Sequence, residues 1–125
     1  MDFLFLLIVL AAVILFAVYQ FFKQRKITKT LTEDEFRQGY RKAQLIDVRE
    51  PKEFDGGHIL GARNIPMSQM RNRLIELRKD KPIYLYDQNG ARSARAALFL
   101  HKKGYRELYQ LQGGFKKWTG KIKKK

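Results

Sequence analysis

The N-terminal 22 residues constrain the fold of this chain most strongly. Residues 3–19 carry no charged side chain, and Phe21 and Phe22 extend the apolar run past Gln20. About 20 residues, each rising about 1.5 Å along a helix, reach the roughly 30 Å of a bilayer core. No basic segment precedes the run and no small-residue cleavage site follows it, which argues against a cleaved signal peptide. A buried core helix would have a polar face, which this run lacks. We therefore expect a single transmembrane anchor over residues 1–22.

Basic residues directly after this run predict its orientation. Lys23, Arg25 and Lys26 follow the helix, whereas only Asp2 and the α-amino group precede it. Because positive charge is retained on the cytoplasmic side, we expect a single-pass protein of the cell membrane with its domain in the cytoplasm. We assign residues 23–30 to a basic juxtamembrane linker, 31–119 to one domain and 120–125 to a lysine-rich tail.

Composition excludes several classes of function. The 125-residue chain has no cysteine, so it forms no disulfide and uses no cysteine of its own in catalysis. Two histidines and no thiolates predict no metal site, and no other cofactor is expected. The net charge of +14 is concentrated beside the apolar run and in the C-terminal tail, which favours contact with an anionic membrane over binding of nucleic acid.

Short helical and extended segments alternate after the linker. Thr32 and Glu35 form a capping box for a first helix, and Pro51 suits the first turn of another. Ser68 can cap a third helix, and residues 93–103 read as a fourth. Short hydrophobic runs at 45–48 and 83–86 predict strands, and residues 62–65 and 105–111 also read as extended segments. This alternation predicts an α/β domain with a mainly parallel central sheet flanked by helices.

The loop between the strand at 83–86 and the fourth helix is the candidate functional site. Residues 87–92 read Asp-Gln-Asn-Gly-Ala-Arg and lead into Ser93. Backbone N–H groups converge near a helix N-terminus, where an anion is favoured. The loop is therefore expected to form an anion cradle, with Asp87 at its entrance.

Residues 47–66 carry a family signature. They read D-V-R-E-P-K-E-F-D-G-G-H-I-L-G-A-R-N-I-P. This segment resembles the first signature of the rhodanese-like, or sulfurtransferase-like, family. Thirteen positions match in order: Asp47, Val48, Arg49, Glu53, Phe54, Gly57, His58, Ile59, Gly61, Ala62, Asn64, Ile65 and Pro66. Gly113, Gly114 and Trp118 resemble the family's C-terminal element, so the resemblance covers about residues 31–118 and implies a rhodanese-like fold.

The resemblance implies that the loop at residues 87–93 corresponds to the family's active-site loop. The family's active-site loop is a cysteine, four residues and an arginine, with a glycine three positions after the cysteine and a serine after the arginine. Asp87 stands at the cysteine position, and the rest of the loop comprises Gln88, Asn89, Gly90, Ala91, Arg92 and Ser93. Its length is that of the members that transfer sulfane sulfur, since related phosphatases have a loop one residue longer. A carboxylate cannot carry a persulfide, so we expect Asp87 to replace the bound anion.

These expectations favour a membrane-anchored binding or scaffolding module without sulfurtransferase activity, whose protein partner is unknown. A small anion or sulfur donor is a doubtful ligand, because Asp87 would repel it. The alternatives are enzymes: a sulfurtransferase that borrows a thiol, or a hydrolase that uses Asp87 as nucleophile or base. The resemblance implies that Asp47 and Arg49 hold neighbouring loops together by charge-assisted bonds, and that His58 ties a turn.

Overall fold

The computed structural model describes residues 2–124, and of residues 24–26 it describes the backbone alone. Helix α1, Asp2–Ile27, contains the apolar run. Its segment Asp2–Lys23 is long and apolar enough to span a membrane, and none of that segment is buried against the rest of the chain. The side chains of Arg25 and Lys26, on which the predicted orientation partly depends, lie outside the described residues.

The helix does not stop where the linker was expected to begin. It continues to Ile27, which is buried in the same apolar cluster as Ala97 and Leu100. Thr28 is also buried, and strand β1 starts at Lys29. The residues assigned to a linker therefore join helix α1 directly to the domain core.

Five short parallel strands form the central sheet. Along the chain, β1 Lys29–Leu31 is followed by α2 Glu33–Gly39, β2 Gln44–Asp47, α3 Pro51–Asp55, β3 His58–Ile59, β4 Arg63–Asn64, β5 Ile83–Tyr86, α4 Ala91–Lys102, β6 Leu108–Leu111 and β7 Ile122–Lys123. The sheet order is β1-β6-β5-β2-β4, and each neighbouring pair is parallel. The predicted α/β architecture is confirmed.

Apolar clusters cover both faces of this sheet. One contains Ile46, Leu85 and Leu108 of the strands with Ala97 of α4. The other contains Phe36 of α2 and Tyr40 with Leu31, Leu45, Tyr86 and Leu111. Helices on both faces bury the strands, which accounts for their apolar sequences.

Local signals account for most helix starts. Thr32 caps α2 in a capping box with Glu35, as expected, and Pro51 opens α3. Ser68, in contrast, is not a helix cap: the segment Met67–Glu76 is 3₁₀ helix with a kink at Arg73, and Pro66 occupies its N-cap position. The Ser68 hydroxyl instead donates to the Glu50 carboxylate.

A second, two-stranded sheet lies in part within the segment assigned to the lysine-rich tail. Strand β7 pairs antiparallel with β3, so that His58 faces Lys123 and Ile59 faces Ile122. The Leu60 N–H donates to the Lys121 carbonyl at 3.1 Å. These bonds attach residues 121–123 to β3, the strand that contains His58, and to Leu60 after it.

Candidate functional site

The candidate loop lies at the carboxyl edge of the parallel sheet. Asp87 follows β5 directly, and α4 begins four residues later at Ala91. Gly90 has φ of +107°, which favours glycine because a side chain would strain the backbone there. The backbone thus turns sharply enough to bring the N-terminus of α4 over the Asp87 side chain.

The Asp87 carboxylate occupies the cradle formed by this turn. Its Oδ1 accepts from the Gly90 N–H, and its Oδ2 accepts from the Arg92 N–H at 2.7 Å. The Ser93 hydroxyl lies 3.3 Å from Oδ1. Only 1% of Asp87 is exposed to solvent. The backbone donors that would hold an external anion are therefore engaged by a carboxylate of the chain itself.

The remaining loop side chains complete this internal network. The Asn89 side chain accepts from the Ala91 N–H at 3.2 Å, and the Asn89 residue itself is exposed. The Ser93 hydroxyl also lies 3.0 Å from the Gly90 carbonyl and 3.1 Å from Gln110 Oε1. Among the described residues, no buried side-chain nitrogen or oxygen lacks a hydrogen-bond partner.

Arg92 points mainly away from Asp87. Its two terminal nitrogens donate to both carboxylate oxygens of Glu53, at 2.8 and 3.0 Å, and its Nε lies 3.8 Å from Asp87 Oδ2. The hydrogen bonds from Arg92 are the main cause that lowers the pKa of Glu53 to about 2. The bidentate pair connects the start of α4 to α3 and holds the guanidinium in a fixed orientation.

Asp47 and Arg49 form a buried ion pair at the end of β2. Arg49 Nη2 donates to Asp47 Oδ2 at 2.8 Å and to the Gly57 carbonyl at 2.6 Å, while Nη1 donates to Gln88 Oε1 at 3.2 Å. Burial alone would lower the pKa of Arg49, but the hydrogen bonds and charge of Asp47 outweigh it and raise the pKa. The guanidinium lies 4.4 Å from the centre of the Phe115 ring. Arg49 therefore joins the turn before β3 to the candidate loop.

His58 lies in β3, immediately after that turn. Its Nδ1 is 2.8 Å from the Phe54 carbonyl, so this nitrogen carries the proton and donates. The ring stacks on Phe54 with centroids 3.6 Å apart. Within residues 2–124, no group of three histidine or carboxylate side chains is placed to hold a metal ion.

Residues 114–116, which the sequence did not assign to the site, hydrogen-bond to the backbone of the loop. The Phe115 N–H donates to the Asp87 carbonyl at 2.7 Å, and the Lys116 N–H donates to the Gln88 carbonyl at 3.2 Å. A Cβ on Gly114 would lie 2.5 Å from the Gln88 carbonyl oxygen. Gly114 is thus required for the close approach of these two backbone segments. In the sequence, the glycine pair 113–114 after a predicted strand was the feature that could have indicated this segment.

The structure brings the predicted residues to one edge of the sheet. Gln88 accepts a hydrogen bond from Arg49, which is paired with Asp47, and Arg92 lies 3.8 Å from Asp87. Glu53 and Gln110 were missed as partners of the loop, because nothing in their local sequence indicates which distant side chain they meet. The site offers a buried carboxylate, exposed amide groups and fixed guanidinium groups, but no thiol.

Known proteins resemble this chain over most of its length. The family model described as "Rhodanese-like domain" matches residues 32–121. The uncharacterized protein YqhL of Bacillus subtilis is 64% identical over 119 residues, which cover 95% of this chain and 94% of that protein. The thiosulfate sulfurtransferase GlpE of Pseudomonas aeruginosa is 33% identical over 76 residues, or 61% of this chain and 69% of GlpE. A crystal structure of a rhodanese-like domain protein from Staphylococcus aureus superposes with a TM-score of 0.69 at 27% identity, over 78% of this chain and 98% of that one.

Proposed function

Because this chain belongs to the rhodanese-like domain family, we propose that it is a membrane-anchored family member that binds a protein partner and does not transfer sulfur. Helix α1 spans the cell membrane, and the domain lies on its cytoplasmic side. The loop at residues 87–93 occupies the place of the family's active-site loop. Asp87 stands where an active member has its cysteine.

The observation that carries this proposal is the internal occupancy of the cradle. Asp87 accepts the N–H groups of Gly90 and Arg92, and it is almost completely buried. Sulfur transfer in this family needs a thiolate at this point, which attacks the donor and holds the sulfur as a persulfide. Asp87 supplies no sulfur atom, and its negative charge repels an anionic donor such as thiosulfate. The cradle is retained for its shape.

In this proposal, the outer surface of the loop binds the partner. Asn89 and Ala91 are exposed, and Gln88 and Arg92 are partly exposed, whereas Asp87 is not. This surface presents amide and guanidinium groups on a backbone that is held by Asp87 from within. A rigid loop of hydrogen-bonding groups suits a polar protein surface, because little conformational entropy is lost when it binds.

Sulfur transfer from thiosulfate to cyanide tests the proposal. The full chain, purified in detergent, is expected to show no transfer above that of its Asp87→Ala variant. Asp87→Cys is expected to gain transfer, because the loop amides and the helix N-terminus then stabilise a thiolate. Asp34→Cys is the control, since it places a thiol on an exposed helical turn without a cradle.

Transfer by the unaltered chain that Asp87→Ala abolishes would contradict the proposal. A small-molecule thiol in the same assay tests the alternative in which the chain borrows a thiol. Transfer that appears only with added thiol, and that requires the unaltered Asp87, would favour the enzyme.

A further inference from the structure

The topology determines which edge of the domain faces α1. All strands of the central sheet are parallel, and β1 begins two residues after α1 ends. The amino ends of all five strands therefore lie at the edge where α1 enters the domain. Asp87 follows the carboxyl end of β5, so the candidate loop lies at the opposite edge. With α1 in a bilayer, the amino edge of the sheet faces the lipid headgroups.

Charge is distributed unequally between these two edges. Exposed basic residues precede the strands at the amino edge, namely Lys42, Lys79, Lys81, Lys102, Lys103 and Arg106. Of the acids there, Asp80 is paired with Arg78 and Glu76 with Arg73, each at 2.6 Å, and Glu107 is exposed. Carboxylates follow the strands at the carboxyl edge, among them Glu33, Asp34, Glu35, Glu50, Glu53 and Asp87. The amino edge is thus the more basic of the two, although exposed lysines such as Lys52 and Lys117 also lie outside it.

An exposed isoleucine lies within this basic edge. Ile75 is 95% exposed, more than any other large apolar side chain described outside α1. It lies near the end of Met67–Glu76, which leads from β4 back towards the start of β5. Ile75 borders an open depression of about 470 Å³, together with Lys79, Lys103 and Tyr105. The Lys79 ammonium lies 5.6 Å from the centre of the Tyr105 ring.

We propose that this amino edge docks on anionic phospholipid headgroups of the membrane that α1 spans. Ile75 enters the interfacial region, and Lys79 and Lys103 contact the headgroup phosphates. An apolar side chain surrounded by lysines is the pattern of interfacial membrane contacts. The inference rests on the proposed membrane anchor, which holds this edge permanently near the bilayer.

Direct attachment favours lipid over an acidic protein as the occupant. Ile27 and Thr28 are buried, so α1 is fixed to the domain rather than joined by a free linker. The bilayer surface is therefore always within reach of the amino edge, whereas a protein partner would have to enter between the domain and the membrane. Docking also directs the loop at residues 87–93 away from the membrane, where a partner can reach it.

Single-cysteine labelling can test this docking, because the chain contains no cysteine. The full chain with Ile75→Cys carries an environment-sensitive fluorophore and is reconstituted in phosphatidylcholine vesicles with or without phosphatidylglycerol. Lipid carrying a doxyl group near its headgroup serves as quencher. Asp34→Cys, with the same fluorophore at the opposite edge, is the matched control. We expect quenching at residue 75 in the anionic vesicles, weaker quenching in the neutral ones, and none at residue 34.

Charge reversal gives a second test, which is measured by the same quenching at residue 75. Lys79→Glu with Lys103→Glu is expected to lower the ratio of docked to undocked domain at least about fivefold for each lysine lost. Lys52→Glu with Lys117→Glu makes the same change in net charge at exposed positions outside this edge and should leave the ratio unchanged.

The outcomes separate docking from anchoring. A chain that floats with the vesicles but shows equal quenching at residues 75 and 34 would overturn docking and leave the anchor intact. A chain absent from the vesicle fraction would overturn the anchor and docking with it. Shielding of residue 75 that requires an added acidic protein would assign the surface to that protein and overturn the lipid assignment.

Discussion

Asp87 fills the turn formed by its own loop. Its carboxylate binds the N–H groups of Gly90 and Arg92 and lies beside the Ser93 hydroxyl. Charge-assisted bonds to backbone amides are stronger than bonds between neutral groups. The loop is therefore held in one conformation by an anion that is covalently part of it.

Removal of this carboxylate should open the cradle to an external anion. Asp87→Ala leaves buried donors without acceptors, and we expect a loss of about 1–3 kcal/mol in the free energy of unfolding. Sulfate should restore part of this loss by binding the freed amides. Urea unfolding of the full chain in detergent, with sulfate and with chloride, measures both effects.

The exposed variant Asp34→Ala corrects for the general stabilisation of proteins by sulfate. The difference in unfolding free energy between sulfate and chloride should be larger for Asp87→Ala than for the unaltered chain or for Asp34→Ala. Equal differences in all three proteins would mean that the carboxylate does not fill an anion site.

The ion pair between Glu53 and Arg92 should make part of the stability depend on pH. The pKa of Glu53 is lowered from its ordinary value of 4.5 to about 2 in the folded chain. The stabilisation is therefore complete above about pH 4.5 and is lost as the pH falls towards 2. Because the pair is partly exposed, Glu53→Gln should cost only about 1 kcal/mol at pH 7.

Urea unfolding at pH 7 and at pH 3 can measure this dependence. The difference between the unaltered chain and Glu53→Gln should shrink at the lower pH. The exposed variant Glu107→Gln has no described side-chain partner to lose and serves as the control. A difference that stays constant between the two values of pH would contradict the prediction.

At the scale of elements, the segment after β6 decides whether the loop stays closed. Residues 114–117 pass behind the loop and donate two backbone hydrogen bonds to it, from Phe115 and Lys116. Gly114 has φ of +70° and ψ of −170°, a conformation that is essentially confined to glycine. The distance between this segment and the loop is therefore set by direct packing of the two backbones and not by a side chain.

Gly114→Ala should destabilise the domain more than a glycine substitution in open space. The positive φ alone costs about 1–3 kcal/mol, and the clash of the new Cβ with Gln88 adds to it. Gly61→Ala is the matched control, because Gly61 has φ of +93° and no atom within 4 Å of the added Cβ. Urea unfolding of both variants measures the difference. Equal losses would show that the close approach is not required.

At the scale of the whole molecule, the direct junction between α1 and β1 fixes α1 to one edge of the domain. Because the sheet is parallel, its two edges differ in their distance from α1. Helix α1 enters at the basic edge, and the candidate loop lies at the other. With α1 in a membrane, as proposed, the position of the first strand would direct the loop away from the bilayer.

The proposed orientation predicts which residues an impermeant reagent can reach. In intact cells, a membrane-impermeant maleimide should label Asp2→Cys and should not label Asp34→Cys. After permeabilisation, both variants should be labelled, which controls for thiol reactivity. Labelling of Asp34→Cys in intact cells would place the domain outside and reverse the proposed topology.

Several features of the fold could be predicted from the sequence because they depend on neighbouring residues. The apolar run forms α1, Thr32 and Glu35 cap α2, and Pro51 begins α3. Ser68 was the exception among the caps. The fold brings Glu50 close, and its carboxylate accepts a hydrogen bond from the Ser68 hydroxyl. Pro66, with its extended backbone, occupies the N-cap position of the helical segment instead.

The sequence by itself determined the apolar helix of membrane-spanning length, the alternation of strands and helices, and the identity of the residue in the loop. Those features depend on apolar length, on capping over three or four residues and on the presence or absence of a thiol. Only the tertiary structure decided that Glu53 holds Arg92, that Arg49 reaches Gln88, and that β7 pairs with β3. These contacts join residues far apart in the chain. The first two arise because the parallel strands β2 and β5 bring the segments that follow them to one edge of the sheet.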